Sequence, residues 1–239
     1  MKISNSHKFI FLSNPKCGSS SLRRTLYPYS QIDAHSLYKN APSGNKEIIK
    51  QNFINILHIS AKELKHSINQ SNLPDIWDEY YTFSTVRNPW RKMVSWYFFL
   101  QPDKNMLTIL DARNAYDIDS AYTPHFNDFV DHLANNARET LLPSYDFFFK
   151  DWDTGAELMD DVFKLEDLDA TLPPRLEEKT GLKLETPLPN YMPDFKLEAQ
   201  SKHVKFKGDP YDLYNESSKQ FVSEFYKSDI EKFDYSFGE

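Results

Sequence analysis

Cysteine is nearly absent. Cys17 is the one cysteine among 239 residues, so no intrachain disulfide can form and a reducing compartment is expected. No apolar run approaches the length of a membrane span. Phe9–Leu12 is too short for the core of a secretory signal and runs straight into a polar turn. A cytoplasmic protein without a membrane span is therefore expected. Internal repeats and low-complexity segments are missing too. Seven histidines are scattered along the chain and form no metal-ligand spacing, so no metal is expected. An excess of positive charge is also lacking. With 28 basic and 35 acidic residues the net charge is -7, which argues against nucleic acid as the main partner. A locally positive anion site remains compatible with that balance.

What the chain has is bulk and aromatic weight. Hydrophobic residues make up 40% and aromatic residues 15%, enough for one α/β domain, 1–239, with bulky packing. Residues 9–14 and 80–86 are strand-like, and a third strand is expected near 161–165. Ser21–Leu26 opens a helix with two leucines one turn apart. Ser60–Glu63 has capping-box form, and Asn88–Pro89 supplies an N-cap and a first-turn proline. Further helices are expected over 123–137, 166–180 and 211–233, the last with Phe221, Phe225 and Tyr226 on one face. Residues 28–52, 101–120 and 183–210 are expected to be irregular. Alternating strands and helices predict an α/β fold: a P-loop-like central parallel sheet flanked by helices on both sides.

Two segments carry the chemistry. Phe9–Leu22 and Tyr81–Tyr97 each read as apolar strand, polar turn and helix start, and each turn holds cations and hydroxyls. A helix start offers free backbone N–H groups to an anion, so two such turns suggest a ligand with two phosphates. In the first, Gly18 permits close backbone approach, Ser19, Ser20 and Ser21 offer donors, and Lys16 brings a mobile charge. It is not a Walker A loop: lysine precedes the only glycine instead of following the second one, which disfavours a metal-dependent NTPase. In the second, Arg87 ends the strand and Ser95 lies two turns into the helix, so both can meet one anion, with Arg91 nearby.

These residues resemble the cofactor motifs of sulfotransferases that use 3′-phosphoadenosine 5′-phosphosulfate, most closely the carbohydrate sulfotransferase branch (sulfotransferase family 2). Pro15–Lys16–Cys17–Gly18–Ser19–Ser20–Ser21–Leu22 resembles Pro–Lys–Thr–Gly–Gly–Thr–Ser–Leu. Val86–Tyr97 resembles Val–Arg–Asn–Pro–aromatic–x–Arg/Lys–x–Val–Ser–x–Tyr. His58–Leu64 and the tail Phe225–Phe237 are also similar to the family. Cys17 and Ser19 stand where Thr and Gly are commoner.

The resemblance implies a set of roles. Lys16 meets the bridging oxygen of the donor. The loop Lys16, Cys17, Gly18, Ser19, Ser20, Ser21 binds the 5′-phosphate, and Arg87 with Ser95 binds the 3′-phosphate. The acceptor is a hydroxyl compound, expected to be a carbohydrate or sugar-containing small molecule. His58, after the apolar run Phe53–Leu57, is the expected general base, since imidazole titrates near neutral pH. Glu63 is the alternative base. His35 and His125 read as surface residues, and Glu166–Asp167 as a helix start. A nucleotide kinase and a non-catalytic nucleotide-binding module are the competing readings.

Overall fold

A computed structural model describes residues 1–32, 58–69, 76–100, 125–136, 142–189 and 208–239. The expected run Phe53–Leu57, the insertion 101–120, His35, and most of the segments 28–52 and 183–210 fall outside them. By internal packing the chain divides into two compact units, Met1–Val86 with Asp146–Tyr191, and Arg87–Tyr145 with Met192–Glu239.

Among the described residues the first unit holds a four-stranded sheet in the order β1 (Lys2–Ser4), β2 (Phe9–Phe11), β3 (Tyr81–Val86), β4 (Asp161–Lys164). β2, β3 and β4 run parallel, with Phe11 opposite Phe83 and Thr85 opposite Phe163. The expected all-parallel sheet is corrected at one edge. β1 is antiparallel to β2, pairing Ile3 with Ile10, and makes the sheet mixed. β1 has three residues, too few for a readable period, and it exists because the chain reverses at Asn5–Lys8, where Lys8 takes φ 49°.

Side chains alternate across a strand, so Phe9 and Phe11 share one face with Tyr81 and Phe83. Their rings touch: Phe83 lies 5.3 Å from Phe11, 5.5 Å from Tyr81 and 5.8 Å from Phe9. Leu22 of α1 (Ser19–Thr25), Leu26 just beyond it, and Leu168, Leu172 and Leu176 of α6 (Leu168–Thr180) complete this core. A leucine every fourth residue keeps one face of α6 on the sheet. Because β2, β3 and β4 are parallel, their C-terminal ends share one edge. The segment Leu12–Gly18, the end of β3 at Val86 and Leu165 after β4 all lie there.

The described part of the second unit is helical: α3 (Pro89–Leu100), α4 (Phe126–Asn136), α7 (Glu216–Phe225) and α8 (Lys227–Phe233), and the short α5 (Tyr145–Phe149) starts at its boundary residue Tyr145. Aromatic contacts bind it. Tyr97 meets Phe126 at 5.4 Å and Phe129 at 5.5 Å, and Trp90 meets Phe237 at 5.6 Å. The single tail helix expected over 211–233 is corrected to a 3-10 turn at Pro210–Leu213, then α7, a break at Tyr226, and α8. Asn215 sets the start of α7, exchanging capping bonds with Ser218. The buried stripe is also shifted by one position. Ser218, Val222, Tyr226 and Asp229 are buried, whereas Phe221 and Phe225 are half-buried and pack on each other at 5.5 Å.

Candidate active site

The loop after β2 is held by β3 through hydroxyls that an apolar strand would lack. Ser84 Oγ donates to the Leu12 carbonyl at 2.7 Å and Thr85 Oγ1 to the Cys17 carbonyl at 2.6 Å. Asn14 Nδ2 donates back to the Thr85 carbonyl at 2.9 Å. These three bonds fix the loop at both ends. Between them Lys16 adopts φ 60° and Gly18 φ 75°. The backbone angle calls for glycine at Gly18, and a β-carbon there would stand 2.5 Å from Leu165 Cδ1, so the end of the Leu165 side chain would have to shift for any other residue. Cys17 points inward: it is fully buried and its thiol lies 3.3 Å from the Pro15 carbonyl. Ser19 is buried at the start of α1, and Ser20 and Ser21 are half-buried.

His58 is half-buried and its Nδ1 lies 2.8 Å from the Ser13 carbonyl. A carbonyl only accepts, so Nδ1 carries the proton and Nε2 presents a lone pair. This bond ties the base candidate to the same loop that carries Lys16. The expectation that the ring titrates near neutral pH is corrected. Burial, and then the positive charges of the N-terminus, Arg23 and Lys16, lower its pKa to about 3, against the bond to Ser13. Imidazolium is a cation, and both low polarity and neighbouring cations oppose it.

Glu63 has a structural task. Its Oε2 accepts from the Ser60 backbone N–H at 3.0 Å and the Ser60 hydroxyl at 2.7 Å, and the Ser60 hydroxyl accepts from the Glu63 N–H at 3.3 Å. This capping box opens α2 (Ala61–Asn69) as the sequence predicts.

In the second unit Asn88 caps α3, its Oδ1 accepting from Trp90 N–H at 3.1 Å and Arg91 N–H at 3.4 Å. Arg87 is half-buried just before the cap, and Ser95 is half-buried within α3. Arg91, expected near an anion, instead donates to the Tyr211 hydroxyl at 3.1 Å and the Glu239 carbonyl at 3.2 Å. Lys92, the cation of the motif, is buried; its Nζ donates to the Pro143 carbonyl at 2.8 Å and lies 4.8 Å from the centre of the Tyr226 ring. Both motif segments thus fold as strand end, cap and helix. The model of the sulfotransferase family (family 2) matches residues 1–236. The chain belongs to this sulfotransferase family. No curated protein and no solved structure matches it.

In this sulfotransferase, Ser84 and Thr85 are the site-building residues that motif reading passed over. The available signal was the pair of consecutive hydroxyls, Ser84 and Thr85, at the C-terminal end of a fully buried strand. His125 is exposed at the start of α4, where its carbonyl accepts from Phe129 N–H at 3.2 Å. Glu166 and Asp167 lie in a 3-10 turn leading into α6, as a helix start would. Among the described residues no group of His, Cys, Asp and Glu side chains is arranged to hold a metal. No helix there is long and apolar enough to cross a membrane.

Proposed function

We propose that this sulfotransferase moves a sulfuryl group from 3′-phosphoadenosine 5′-phosphosulfate to a hydroxyl of a carbohydrate or sugar-containing small molecule in the cytoplasm. Its strand–loop–helix at Lys16 works as a P-loop-like phosphate cradle within one sulfotransferase domain. The observation that carries this reading is the bond from His58 Nδ1–H to the Ser13 carbonyl. It aims an unprotonated Nε2 from the segment that bears Lys16, pairing a base with a cation. A kinase without a Walker lysine has no use for that pair.

The residues divide the work. Backbone N–H groups from Cys17 to Ser21 and the serine hydroxyls hold the 5′-phosphate. Arg87 and Ser95 hold the 3′-phosphate. His58 Nε2 takes the proton from the acceptor hydroxyl as its oxygen attacks sulfur in line. The bond from sulfur to the 5′-phosphate oxygen breaks, and Lys16 stabilises the charge that grows on that oxygen. The products are the sulfate ester and adenosine 3′,5′-bisphosphate, and the chemistry calls for no metal. The polyanionic donor beside His58 raises its pKa from the unliganded value, because a nearby negative charge favours imidazolium.

The test is a screen of sugars and small alcohols with the sulfuryl donor, following release of adenosine 3′,5′-bisphosphate. Release that depends on an acceptor is the expected result. Turnover of ATP with Mg²⁺ and no response to the sulfuryl donor would replace this reading with the kinase one.

A further inference from the structure

The roles above leave one shielded cation unused. Arg23 lies on α1, four residues after Ser19 and three after Ser20, and so on their face of the helix. Helical side chains lean toward the N-terminus, which directs Arg23 back toward the Lys16 loop. Arg23 is half-buried, burial lowers its pKa, and its Nε is shielded from water with no hydrogen-bond partner. The neighbouring charge that acts on it is another cation, Arg24. Among the described residues, no carboxylate forms an ion pair with it.

A second shielded donor belongs to the loop itself. Ser13 is 1% exposed and its Oγ has no partner, while its carbonyl holds His58. Asn14, also 1% exposed, leaves its Oδ1 unpartnered. Arg23 and Lys16 both act electrostatically on His58. Two cations thus act on the ring that the Ser13 carbonyl holds, and the Ser13 hydroxyl sits in the same residue as that anchor. Folded proteins leave few buried polar groups unpaired, and a guanidinium away from water needs an anion most of all. Its planar fork suits oxygen atoms of an oxyanion.

In-line transfer tells which oxyanion belongs there. Sulfur lies between the bridging oxygen at Lys16 and the acceptor oxygen at His58, and its three other oxygens stand out around that line. A cation on α1 that leans toward the Lys16 loop, and whose charge acts on His58, is placed to meet those oxygens. We infer that Arg23, assisted by the Ser13 hydroxyl, holds the non-bridging oxygens of the sulfuryl group as it passes from donor to acceptor. This rests on the donor proposed above. The sulfur–oxygen bond to the acceptor forms as the one to the 5′-phosphate breaks. The electron pair leaves with the phosphate, the hydroxyl proton goes to His58, and Arg23 keeps its own proton throughout.

The experiment compares two ligands that differ by the sulfuryl group. Calorimetric affinities of 3′-phosphoadenosine 5′-phosphosulfate and adenosine 3′,5′-bisphosphate are measured for the full chain, Arg23→Gln, Arg23→Lys and Ser13→Ala, with exposed Arg24→Gln as control. Arg23→Gln is expected to weaken the sulfuryl donor about tenfold or more and the bisphosphate by less than about twofold. Arg23→Lys keeps the charge without the fork, so it shows a smaller change of the same ratio and carries the comparison if Arg23→Gln fails to fold. Ser13→Ala changes the ratio by a few-fold, and Arg24→Gln leaves it unchanged. Equal weakening of both ligands would place Arg23 at a phosphate and overturn the assignment. An unchanged ratio in both Arg23 variants overturns it as well, leaving Arg23 to an acidic acceptor or to packing. Wild-type protein that binds neither nucleotide fails the donor reading itself, which separates that failure from one confined to Arg23.

Discussion

The two strand–turn–helix segments look alike in sequence and differ in what they leave open. In α3 the cations are engaged within their own unit: Arg91 by Tyr211 and Glu239, Lys92 by Pro143 and the Tyr226 ring. Around the first loop, β3 takes up the backbone carbonyls, while Ser13 Oγ, Asn14 Oδ1 and Arg23 Nε are shielded and unmatched. A cation beside a helix start therefore does not by itself make an anion site. Its partners within the fold decide whether its charge is available. The first segment holds unmet polar groups in a fixed frame, whereas the cations of α3 hold helices together.

The comparison would break first at His58. His58→Ala is expected to lower turnover by about two to four decades while nucleotide affinity stays near wild type, since a positioned base contributes about that much. Steady-state kinetics beside calorimetry separates the two. The pH dependence of stability gives an independent check. Unfolded, the imidazole takes up a proton below about 6.5; folded, it resists until about 3. The unfolded chain thus binds more protons across that window, and stability falls as pH falls through it. His58→Ala removes that share of the slope in chemical denaturation followed against pH. The acid limb of turnover lies above about 3, because it reports the ring in the donor complex.

Lys16→Ala comes next, with a loss of about two to three decades in turnover at saturating donor, the scale of removing one group that stabilises developing charge. A mutant whose only change is a higher Michaelis constant for the donor would take Lys16 away from the leaving oxygen.

Much of this division was legible in the sequence. The strand at Tyr81–Val86, the Asn88 cap, the Ser60–Glu63 box and the turn at Gly18 are local features, each decided within a few residues. What the sequence did not reveal depends on distant partners. β1 needs a neighbour to pair with before three residues count as a strand. The inward thiol of Cys17, the use of Arg91 and Lys92 as internal ties, and the low proton affinity of His58 all follow from packing between residues far apart in the chain. The two-fold division of the tail helix likewise turns on Tyr226, whose burial no periodicity rule separates from that of its neighbours Phe221 and Phe225.

The second segment is sharpened by a pair of mutants. Arg87→Ala is expected to weaken adenosine 3′,5′-bisphosphate by about one to two decades and leave 5′-AMP nearly unchanged, the loss of one charge-assisted contact. Arg91→Ala is expected to change either nucleotide by less than about twofold and to lower the melting temperature instead, because its guanidinium is bonded to Tyr211 and Glu239. If the two mutants exchanged these effects, the 3′-phosphate contact would belong to Arg91. Smaller again is Gly18→Ala, where φ 75° and the contact with Leu165 act together. The flexible end of Leu165 can yield, so the backbone angle dominates, at about 1–2 kcal/mol of stability by thermal or chemical unfolding. A neutral Gly18→Ala would mean that the loop is looser than its three bonds to β3 imply.

The smallest effect belongs to Glu63, and it decides between the two candidate bases. Glu63→Gln keeps an oxygen that can accept from Ser60 but removes the charge from the first turn of α2. Such a charge at a helix start is worth about 0.3–1 kcal/mol. The Glu63 carboxylate is already accepting from both the backbone and the hydroxyl of Ser60. A group so engaged must give up a cap to receive a proton from an acceptor hydroxyl, whereas His58 Nε2 keeps its lone pair while Nδ1 stays anchored. Denaturation of Glu63→Gln should therefore show a small loss of stability, and turnover at saturating donor and acceptor should stay within about twofold of wild type. An inactive but folded Glu63→Gln, set against an active His58→Ala, would move the base to Glu63 and leave the His58–Ser13 bond as a clasp between α2 and the Lys16 loop.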